Sequence, residues 1–594
     1  MKASDCIVKF LESQNITHVF GYQGGMITHL VDSLSKSNKV KYIQCYHEQS
    51  AAIAAEGYAL ESGKYGVAIS TSGPGATNMM TGIADAYFGS IPVLYITGQV
   101  NSYEYKYDKK IRQLGFQETD IVSIVKPITK YAVMVDKPEE LENEIKKAIT
   151  IALSGRKGPV LIDLPMNISR ADIQEFDYNF AVAPNYPKMD SNQFEQAYNE
   201  LKNAKKPLVI CGNGIFQGNS KSEVNDFFSK SNIPYVVSML GKGTVFEELD
   251  NFCGMIGSYG NRCANIIFSQ ADVVLALGTR LDLRQTGNIN SEILKKIKFI
   301  HVDIDEYELN DSKIQNKLNL HADAGDFFRK LHNRELTIPT EWIKYCSHIK
   351  KTYSQAKELE RNSNNKAPYE AICNLRSTIK EPATFVSDVG QNQVWVAQML
   401  CLKKEDRLYS SGGLAPMGFA LPCAVGAAFA NPNRKIVCIT GDGGFHFALQ
   451  SLMLISQYHL NISVYILNNS SLGMITQFQT LYFDSNMAGT TKDGGYIVPD
   501  IKKIAEAYNL SYKTGFESQS EKETLYEITL PELTVVTPKL EYNKDLNNMI
   551  PYLSEEEINS LEYSGGGGYN CRVVYNDTYI FNKTLCASSF VEAA

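Results

Sequence analysis

One strand–helix–strand unit in the last third of the chain constrains the fold more than any other part of the sequence. Two apolar runs, residues 436–440 and 462–467, flank a stretch with helical character at 445–458, and this order is typical of a parallel sheet. Asp442 follows the first run and Asn469 follows the second. Because the carboxyl ends of adjacent parallel strands lie side by side, we expect these two side chains to meet where open α/β sheets bind ligands.

The residues around this unit suit a diphosphate and a hard cation. A carboxylate together with an amide carbonyl provides the oxygen ligands that Mg2+ prefers. Gly443 and Gly444 follow Asp442 and would let a diphosphate approach the backbone and the helix N-terminus. A tight strand–helix turn and an ordinary Asn-Asn loop would explain each piece alone. The full spacing from the GDGG sequence to Asn469 favours a diphosphate–metal site.

Length and composition limit the class of protein. A chain of 594 residues predicts three or four domains of roughly 150 residues each. A net charge of −7 and a pI near 5.8 argue against nucleic acid or an anionic membrane as a partner. The 12 cysteines form no CxxC pair and no Cys/His cluster, which argues against zinc and favours reduced thiols in the cytoplasm. We expect neither a signal peptide nor a membrane span, since no apolar run reaches about 18 residues.

Three segments alternate strand-like and helix-like runs, which predicts an α/β fold of three doubly wound parallel-sheet domains. The expected units are residues 1–180, 185–340 and 365–550, with a charged helical connector at 345–364 and a C-terminal helix and tail at 551–594. The tail contains a Gly-rich linker and strand-like pieces. A mobile tail, a packed extension and an unrelated appendage all remain open for it.

The GDGG sequence and the Asn pair resemble the thiamin diphosphate (ThDP) binding motif, and the similarity extends to about residue 555. It is closest to the acetolactate synthase group of ThDP enzymes. The runs YHEQSAAIAAEGYA at 46–59, STSGPGATN at 70–78 and DAYFGSIPVLYITGQV at 85–100 resemble the pyrimidine-binding domain of that group. The resemblance implies a pyrimidine-binding domain, a central domain and a diphosphate-binding domain, in that order.

The resemblance assigns catalysis to Glu48, which would contact N1′ of the cofactor's aminopyrimidine. A carboxyl group that shares a proton with N1′ favours the imino tautomer, whose 4′-nitrogen removes the C2 proton. From the residues alone, Glu48 is simply a carboxylate stabilised by a helix N-terminus. Phe116 and Gln117 match a block that lines the reaction pocket in the family, where a Gln amide stabilises a developing alkoxide. Without the family, that block is a polar loop.

Further residues are assigned to the cofactor by the same resemblance. The metal ligands would be Asp442, Asn469 and the backbone carbonyl of Ser471, with diphosphate oxygens and a water completing an octahedron around Mg2+. Met417 would separate the two cofactor rings. The carbonyl of Ala415 would accept from the 4′-amine, although the family usually has glycine there. The other cofactor-binding positions are Pro74, Asn78, Gly390, Gln391, Asn392, Gly441, Gly443, Gly444, Leu472 and Gly473.

The central segment resembles the FAD-binding domain of acetolactate synthases. A basic group at a strand exit could hold a pyrophosphate and an acid could hold a ribose, but chemistry alone fits an ordinary loop equally well. Many superfamily members have an empty site here, so FAD is a candidate as a structural rather than a redox cofactor. The residues that match are Arg156, Gly257, Gly278, Arg280 and Asp303.

Departures from the family concentrate on the acceptor side. The family's FDDR sequence is LDLR here, which keeps Arg284 as a ligand for the acceptor's carboxylate. A tryptophan that favours 2-ketobutyrate in the family is Phe478, one helical turn after Met474, and both would shape the substrate pocket. These acceptor-side changes favour conserved activation chemistry with a changed second substrate. In the block that borders the diphosphate and the pyrimidine, Asn392 stands where the family usually has histidine.

The sequence therefore predicts a ThDP- and Mg2+-dependent carboligase of the acetolactate synthase type. It would decarboxylate a 2-keto acid, with pyruvate the expected donor, and transfer the acyl-anion unit to a carbonyl acceptor. The alternatives are transfer of a two-carbon unit to a nucleotide-linked keto-sugar, a simple decarboxylase or oxidase, and a non-catalytic scaffold. The resemblance also implies a homodimer or homotetramer with active sites at the subunit interface.

Overall fold

Three six-stranded sheets, all parallel and covered by helices on both faces, form the framework of the chain. The predicted α/β fold with three parallel-sheet domains is confirmed. The computed structural model describes residues 1–218, 220–286, 292–312, 314–357, 366–517 and 520–531, and the backbone of three short strands beyond them. Among these residues, no helix combines the length and the apolar content that a membrane crossing requires.

The first sheet has the strand order β2-β1-β3-β4-β6-β5. Its strands are β1 (His18–Gly21), β2 (Lys41–Gln44), β3 (Gly66–Ser70), β4 (Val93–Gln99), β5 (Tyr131–Met134) and β6 (Val160–Pro165). Its helices are α1 (Ala3–Ser13), α2 (Thr28–Ser35), α3 (Glu48–Ser62), α4 (Pro74–Asn78), α5 (Met80–Gly89), α6 (Ile121–Val125), α7 (Leu141–Leu153) and α8 (Met166–Ser169). The central strands are buried along their whole length, as expected for a parallel sheet covered on both faces.

The second sheet has the order β12-β11-β10-β7-β8-β9. Its strands are β7 (Pro207–Cys211), β8 (Tyr235–Val237), β9 (Phe252–Met255), β10 (Val273–Leu277), β11 (Lys298–Asp303) and β12 (Lys317–His321). The helices of this region are α9 (Ser191–Asn203), α10 (Gly214–Gln217), α11 (Lys221–Ser231), α12 (Arg262–Gln270), α13 (Leu283–Thr286), α14 (Glu292–Lys296), α15 (Glu306–Asp311), α16 (Ala324–Leu331) and α17 (Thr340–Thr352). Helix α17 begins before the expected connector, and residues 358–365 of that connector lie outside the described residues.

The third sheet has the order β14-β13-β15-β16-β18-β17 and contains the predicted strand–helix–strand unit. Its strands are β13 (Ala383–Ser387), β14 (Arg407–Ser410), β15 (Lys435–Gly441), β16 (Ile462–Asn468), β17 (Ser511–Thr514) and β18 (Thr524–Thr529). Its helices are α18 (Ala367–Thr378), α19 (Gln391–Met399), α20 (Ala420–Ala430), α21 (Asp442–Phe447), α22 (Leu452–Gln457), α23 (Gly473–Tyr482) and α24 (Ile501–Ala507). The strand order reverses between β13 and β15, which is where open α/β sheets form ligand crevices.

Near the C-terminus, three short strands form an antiparallel sheet. They are β19 (Glu562–Ser564), β20 (Arg572–Tyr575) and β21 (Thr578–Tyr579). Within the expected C-terminal helix and tail at 551–594, Glu562 and Tyr563 belong to β19, where they pair with Val574 and Val573. The rest of that expected helix and of the tail lies outside the described residues.

The first and third domains are joined by the close contact of α3 with α20. Both helices are rich in alanine and glycine and are buried almost all round. A Cβ built at Gly57 would overlap the carbonyl oxygen of Cys423, and one built at Gly426 would overlap that of Ala54. Gly57 therefore faces Cys423 while Ala54 faces Gly426, so the two helices run antiparallel in direct backbone contact.

We predict that Gly426→Ala destabilises the protein, because the added methyl forces apart two helices that have no space between them. Overpacking of this kind costs about 1–3 kcal/mol, so the thermal midpoint should fall by several degrees. Gly25→Ala is the matched control, since a Cβ there meets nothing within 4 Å. Equal thermal midpoints for the two variants would contradict the backbone contact between α3 and α20.

Candidate active site

The carboxylate of Asp442 organises the ends of β15 and β16. Its Oδ2 accepts from the backbone N–H groups of Asn469 at 3.0 Å and Ser470 at 2.9 Å, and its Oδ1 accepts from the hydroxyl of Tyr496 at 2.6 Å. Asp442 is buried, with 2% of its surface exposed. The predicted meeting of Asp442 with the Asn469 segment therefore occurs, and Tyr496 joins it from a loop 54 residues further along.

Burial raises the pKa of Asp442, and the hydrogen bonds from Tyr496 and the two backbone N–H groups oppose that rise. A buried carboxylate fixed by three donors is oriented in advance for a cation, which would stabilise its charged form. Asn469 lies beside Asp442, and its Nδ2 reaches Oε1 of Gln391 at 3.5 Å. The donor set thus fits a hard metal ion held by oxygen atoms.

The glycines around this carboxylate have two different roles. A Cβ built at Gly390 or at Gly441 meets nothing within 4 Å, so the exits of β13 and β15 have open space at the point where the strand order reverses. At Gly444, in contrast, a Cβ would lie 2.7 Å from the Asp388 carboxyl, and at Gly443 it would lie 2.9 Å from Cε of Met417. The space for a ligand's diphosphate is therefore at Gly390 and Gly441, while Gly443 and Gly444 allow protein side chains to pack.

The segment before α20 is held by two buried acids. The Asp388 carboxylate accepts from the backbone N–H groups of Gly418 at 3.1 Å and Ala420 at 3.0 Å. The hydroxyl of Ser411 donates to Asp85 and accepts from the backbone N–H of Ala415 at 2.9 Å. Ala415 itself has a left-handed backbone, with φ of 57°, which costs an alanine about 1 kcal/mol. The position of the Ala415 carbonyl is therefore imposed by its surroundings.

Helix α19 and the start of α23 complete this group. A Cβ at Gly473 would overlap Oε1 of Gln391, so a side chain there would require the Gln391 amide to move. The amide of Asn392 donates to the carbonyls of Asp388 at 3.0 Å and Ile439 at 3.2 Å, where it ties α19 to β15. The structure thus brings together most of the residues assigned to the cofactor: Gly390, Gln391, Asn392, Met417, Gly441, Asp442, Gly443, Gly444, Asn469, Ser471, Leu472 and Gly473.

A second cluster forms in the first domain around Glu48, the first residue of α3. Glu48 is 7% exposed, and its Oε2 accepts from Nδ2 of Asn78 at 3.0 Å. A Cβ at Gly75 would lie 3.2 Å from Oε1 of Glu48, and one at Gly73 would lie 2.9 Å from the carbonyl of Gln117. Glu48, Asn78 and Gln117 therefore surround the turn at residues 73–75, which contains Pro74.

Three large apolar side chains near these clusters face outward. Phe116 is 79% exposed and precedes Gln117, and Ile497 is 75% exposed and follows Tyr496. Phe447, at the end of α21, is 62% exposed. Exposed apolar groups of this size are typical of interaction surfaces.

A cavity of about 160 Å³, called the central cavity below, lies where the strand order of the second sheet reverses between β7 and β10, and residues of the first domain and Gly412 of the third also line it. The walls include four of the five residues assigned to FAD, namely Arg156, Gly278, Arg280 and Asp303, while Gly257 is absent from the lining. Arg284, assigned to the acceptor's carboxylate, also lines this cavity. Met474 and Phe478 lie elsewhere, on α23, and the Phe478 ring packs against Tyr482 at 4.7 Å.

The charges in the central cavity are partly neutralised. Arg156 forms ion pairs with Asp305 at 3.1 Å and Glu308 at 2.7 Å. Burial raises the pKa of Asp303 to about 6, although Arg156 and the backbone N–H of Asp305 lower it. The cavity therefore combines arginines with acidic groups, the combination that suits a phosphate and a ribose in one ligand.

Family models for thiamine pyrophosphate enzymes match three stretches of the chain. They are the N-terminal TPP binding domain at residues 1–124, the central domain at 194–331 and the C-terminal TPP binding domain at 388–530. The matched stretches contain the Glu48 cluster, the central cavity's arginines at 280 and 284, and the Asp442 cluster.

Several acetolactate synthase large subunits are similar to this chain over most of its length. That of Buchnera aphidicola from Acyrthosiphon pisum is 35% identical, over 86% of this chain and 88% of its own. That of Lactococcus lactis is 33% identical, over 94% of this chain and 96% of its own. The isozyme 2 large subunit of Escherichia coli is 34% identical, over 86% of this chain and 90% of its own.

One buried acid beside the Gln117 block gives a testable pH dependence. Asp163 accepts from Thr97 Oγ1 at 2.7 Å and from Gln99 Nε2 at 2.9 Å, and Gln99 also donates to the carbonyl of Thr119 at 2.8 Å. Burial raises the pKa of Asp163 from 3.8 to about 7. The protonated form is therefore preferred in the folded state, and its stabilising effect is complete below about pH 4 and lost as the pH rises to about 7.

We predict that Asp163→Asn becomes more stable relative to the wild type as the pH rises from about 4 to 7. A shift of this size corresponds to about 4 kcal/mol across the window, because the amide carries no charge to bury. Thermal midpoints measured at half-unit pH steps give the difference directly. The control is Asp108→Asn, on an exposed loop. A wild-type-minus-variant difference that stays flat across the window would contradict the burial of an ionisable Asp163.

Proposed function

Because the chain belongs to the thiamine pyrophosphate enzyme family, with acetolactate synthase large subunits as relatives along most of its length, we propose that it is a ThDP-dependent carboligase of the acetolactate synthase type. The donor is a 2-keto acid, with pyruvate the simplest, and the acceptor is a second carbonyl compound. The observation that supports this most is the Asp442 carboxylate, oriented by three donors beside Asn469 at the paired ends of β15 and β16.

The third domain holds the diphosphate end of the cofactor. Asp442, Asn469 and the carbonyl of Ser471 would coordinate Mg2+, and the open space at Gly390 and Gly441 would receive the diphosphate. When bound, ThDP supplies the carbon that adds to the donor's keto group and takes up the electrons released as carbon dioxide leaves. The protein's part is to orient that group and to move protons around it.

Glu48 would hold the proton needed at the pyrimidine end. Its carboxyl, kept in place by the amide of Asn78 at 3.0 Å, would share a proton with N1′ of the bound cofactor. The carbonyl of Ala415 would accept a hydrogen bond from the 4′-amine. Gln117 would donate to the substrate oxygen that becomes negative, and Phe116 would cover the pocket beside it.

The antiparallel contact of α3 with α20 supports a site built by two chains. Glu48 begins α3 and Ala415 precedes α20, so in one chain they lie at opposite ends of the helix pair, separated by roughly 15–20 Å along the axes at 1.5 Å per residue. One aminopyrimidine cannot touch both. A second copy of the chain would bring its Glu48 to this chain's Ala415, and the exposed Phe116, Phe447 and Ile497 would become buried in that contact.

The acceptor side and the central cavity complete the proposal. Met474 and Phe478 on α23 would border the pocket. Phe478 has a phenyl ring where the family has a bulkier indole, which would leave more room for the acceptor. Arg284 lines the central cavity and would hold the acceptor's carboxylate. FAD would bind in the central cavity as a structural cofactor, with Arg280 near the pyrophosphate and Asp303 near a ribose.

We predict that Glu48→Gln lowers the release of carbon dioxide from pyruvate by at least about 100-fold, because the amide cannot exchange a proton with N1′. ThDP binding in the presence of Mg2+, measured by calorimetry, should remain, since the diphosphate site is in another domain. Glu139→Gln, on the surface, is the control for charge loss. Unchanged turnover in Glu48→Gln would remove the catalytic assignment.

Product analysis identifies the reaction: acetolactate for the carboligase, acetaldehyde for a decarboxylase and peroxide for an oxidase.

We predict that two inactive variants complement each other. In the proposed dimer, one chain supplies Glu48 to a site and the other chain supplies Asp442. A dimer of one Glu48→Gln chain and one Asp442→Ala chain therefore has one site in which both residues are native. Co-expression in equal amounts and random pairing should restore about a quarter of the wild-type activity, while each variant alone stays inactive. No recovery in mixed dimers, verified by affinity tags on the two chains, would show that each chain builds its own site.

A further inference from the structure

A second, larger cavity of about 500 Å³ lies where the three domains meet, and the functional assignments above make no use of it. It is called the three-domain cavity below. The first domain contributes the end of α3 and the residues that follow it, at 59–64. The second contributes residues of α10 and α11 and the loop at 239–244, and the third contributes β14 and Ser411. The volume is within the range of small-molecule sites.

The cavity walls carry an excess of positive charge. Five cationic side chains line it, and two of them are neutralised: Lys242 pairs with Glu247 at 2.7 Å and Arg407 pairs with Glu61 at 3.0 Å. The remaining cations are Lys64, Lys157 and Lys221. Each of these donates to a backbone carbonyl, of Asn15 at 2.7 Å, Gln217 at 2.8 Å and Asp406 at 3.3 Å respectively.

Within the part of the chain that the structure describes, none of these three ammonium groups has a carboxylate within ion-pair distance. Lys157 and Lys221 are half-buried, and burial lowers the pKa of Lys157 and lowers that of Lys221 to about 8. Placing ammonium groups out of water without a counter-charge is unfavourable. A negatively charged ligand in the cavity would remove that cost.

The rest of the lining is divided between polar and apolar residues, and the apolar residues form a substantial part of the wall. They include Leu60, Ile91, Phe216, Leu240 and Phe419. A bare inorganic anion would leave this surface in contact with water. A ligand with an apolar or aromatic body and an anionic end would contact both parts of the wall.

We propose that the three-domain cavity binds a nucleotide-sized organic phosphate, with its phosphate at Lys157 and Lys221 and its body against the apolar wall. This site is separate from the Asp442 cluster. It borders the central cavity, with which it shares six lining residues including Lys157, but Lys221 and Arg407 line only the three-domain cavity, and Arg280 and Asp303 line only the central one.

The cavity is connected to the proposed cofactor site. Asp85 and Ser411 are part of its lining, and the Ser411 hydroxyl accepts from the backbone N–H of Ala415 at 2.9 Å. A ligand that moves Ser411 would therefore move the strained Ala415 segment, whose carbonyl is assigned to the cofactor's 4′-amine. The ligand is thus an effector whose binding and ThDP binding influence each other reciprocally.

The test uses the full-length protein with saturating ThDP, Mg2+ and FAD, and AMP as the probe. Calorimetric titration with AMP should show saturable binding, while inorganic phosphate and adenosine, the two halves of the probe, should each bind at least about 10-fold more weakly. Lys221→Met, which keeps the length of the side chain but removes the charge, should abolish AMP binding. Lys205→Met, an exposed lysine outside the cavity, and Arg280→Met in the central cavity should keep it.

Thermal unfolding of the Lys221→Met variant without AMP provides a second test. Because Lys221 is half-buried and has no carboxylate within ion-pair distance, Lys221→Met without AMP should have a higher thermal midpoint than the wild type. AMP should raise the midpoint of the wild type alone. A lower midpoint for Lys221→Met would instead show that the charge stabilises the empty protein. That result overturns the proposal, as does absent AMP binding, AMP binding that survives Lys221→Met, or AMP binding lost in Arg280→Met.

The pH dependence is set by Lys221 and the charges around it. Arg407 and Arg434 lower its pKa, while Glu247 and Asp406 raise it. AMP affinity should fall as the pH rises from 7 to 9, since the neutral amine no longer attracts phosphate. In separate titrations with ThDP, in the presence of Mg2+ and FAD, saturating AMP should change the half-saturating ThDP concentration by roughly 5-fold or more. An unchanged ThDP requirement would overturn the role as an effector, and it is measured by cofactor binding, so it does not depend on the identity of the acceptor.

Discussion

The antiparallel backbone contact between α3 and α20 fixes most of what the chain can do. Two glycines, Gly57 and Gly426, let the helices touch without side chains between them, which packs the first domain directly against the third. The same contact places Glu48 and the Ala415 segment at opposite ends of the helix pair. Under the proposed function, a cofactor site that uses both would need a second chain. The proposed oligomer then follows from the same helix pair that packs the two domains together.

Buried carboxylates hold the backbone segments around the Glu48 and Asp442 clusters in place. Asp442 fixes the ends of β15 and β16, Asp388 fixes the start of α20, and Asp163 fixes the segment near Gln117 through Gln99. Each has a pKa raised by burial and is held by neutral donors. Such groups stabilise a fixed geometry at the cost of stability near neutral pH. A site built this way is oriented before any ligand arrives, which lowers the entropic cost of binding.

The sequence was sufficient for elements whose signal is local. The apolar runs of β15 and β16, with polar residues at their exits, predicted the sheet, its parallel order and the meeting of Asp442 with the Asn469 segment. Tyr496 and the Asp85–Ser411 pair were not predicted, because they join residues 54 and 326 positions apart and leave no periodic pattern. Gly444 was attributed to ligand approach, whereas the structure shows that the Asp388 carboxyl occupies the space a side chain would need. The sequence shows that position 444 is a glycine, but only the packing of the Asp388 carboxyl against it gives the reason.

The three sheets place their reversals of strand order at three different crevices, and the residues at those crevices differ in how well they match the family. The exits of β13, β15 and β16 keep the acid, the amide and the open glycines, although Asn392 and Ala415 nearby differ from the residues usual in the family. The residues proposed to recognise the acceptor, at LDLR and at Phe478, differ from the family as well. Since the activated donor is the same for every acceptor, substitutions on the acceptor side alter specificity without affecting the chemistry that precedes it. A retained activation site with a remodelled acceptor pocket is therefore what a shift in second substrate would leave in the structure.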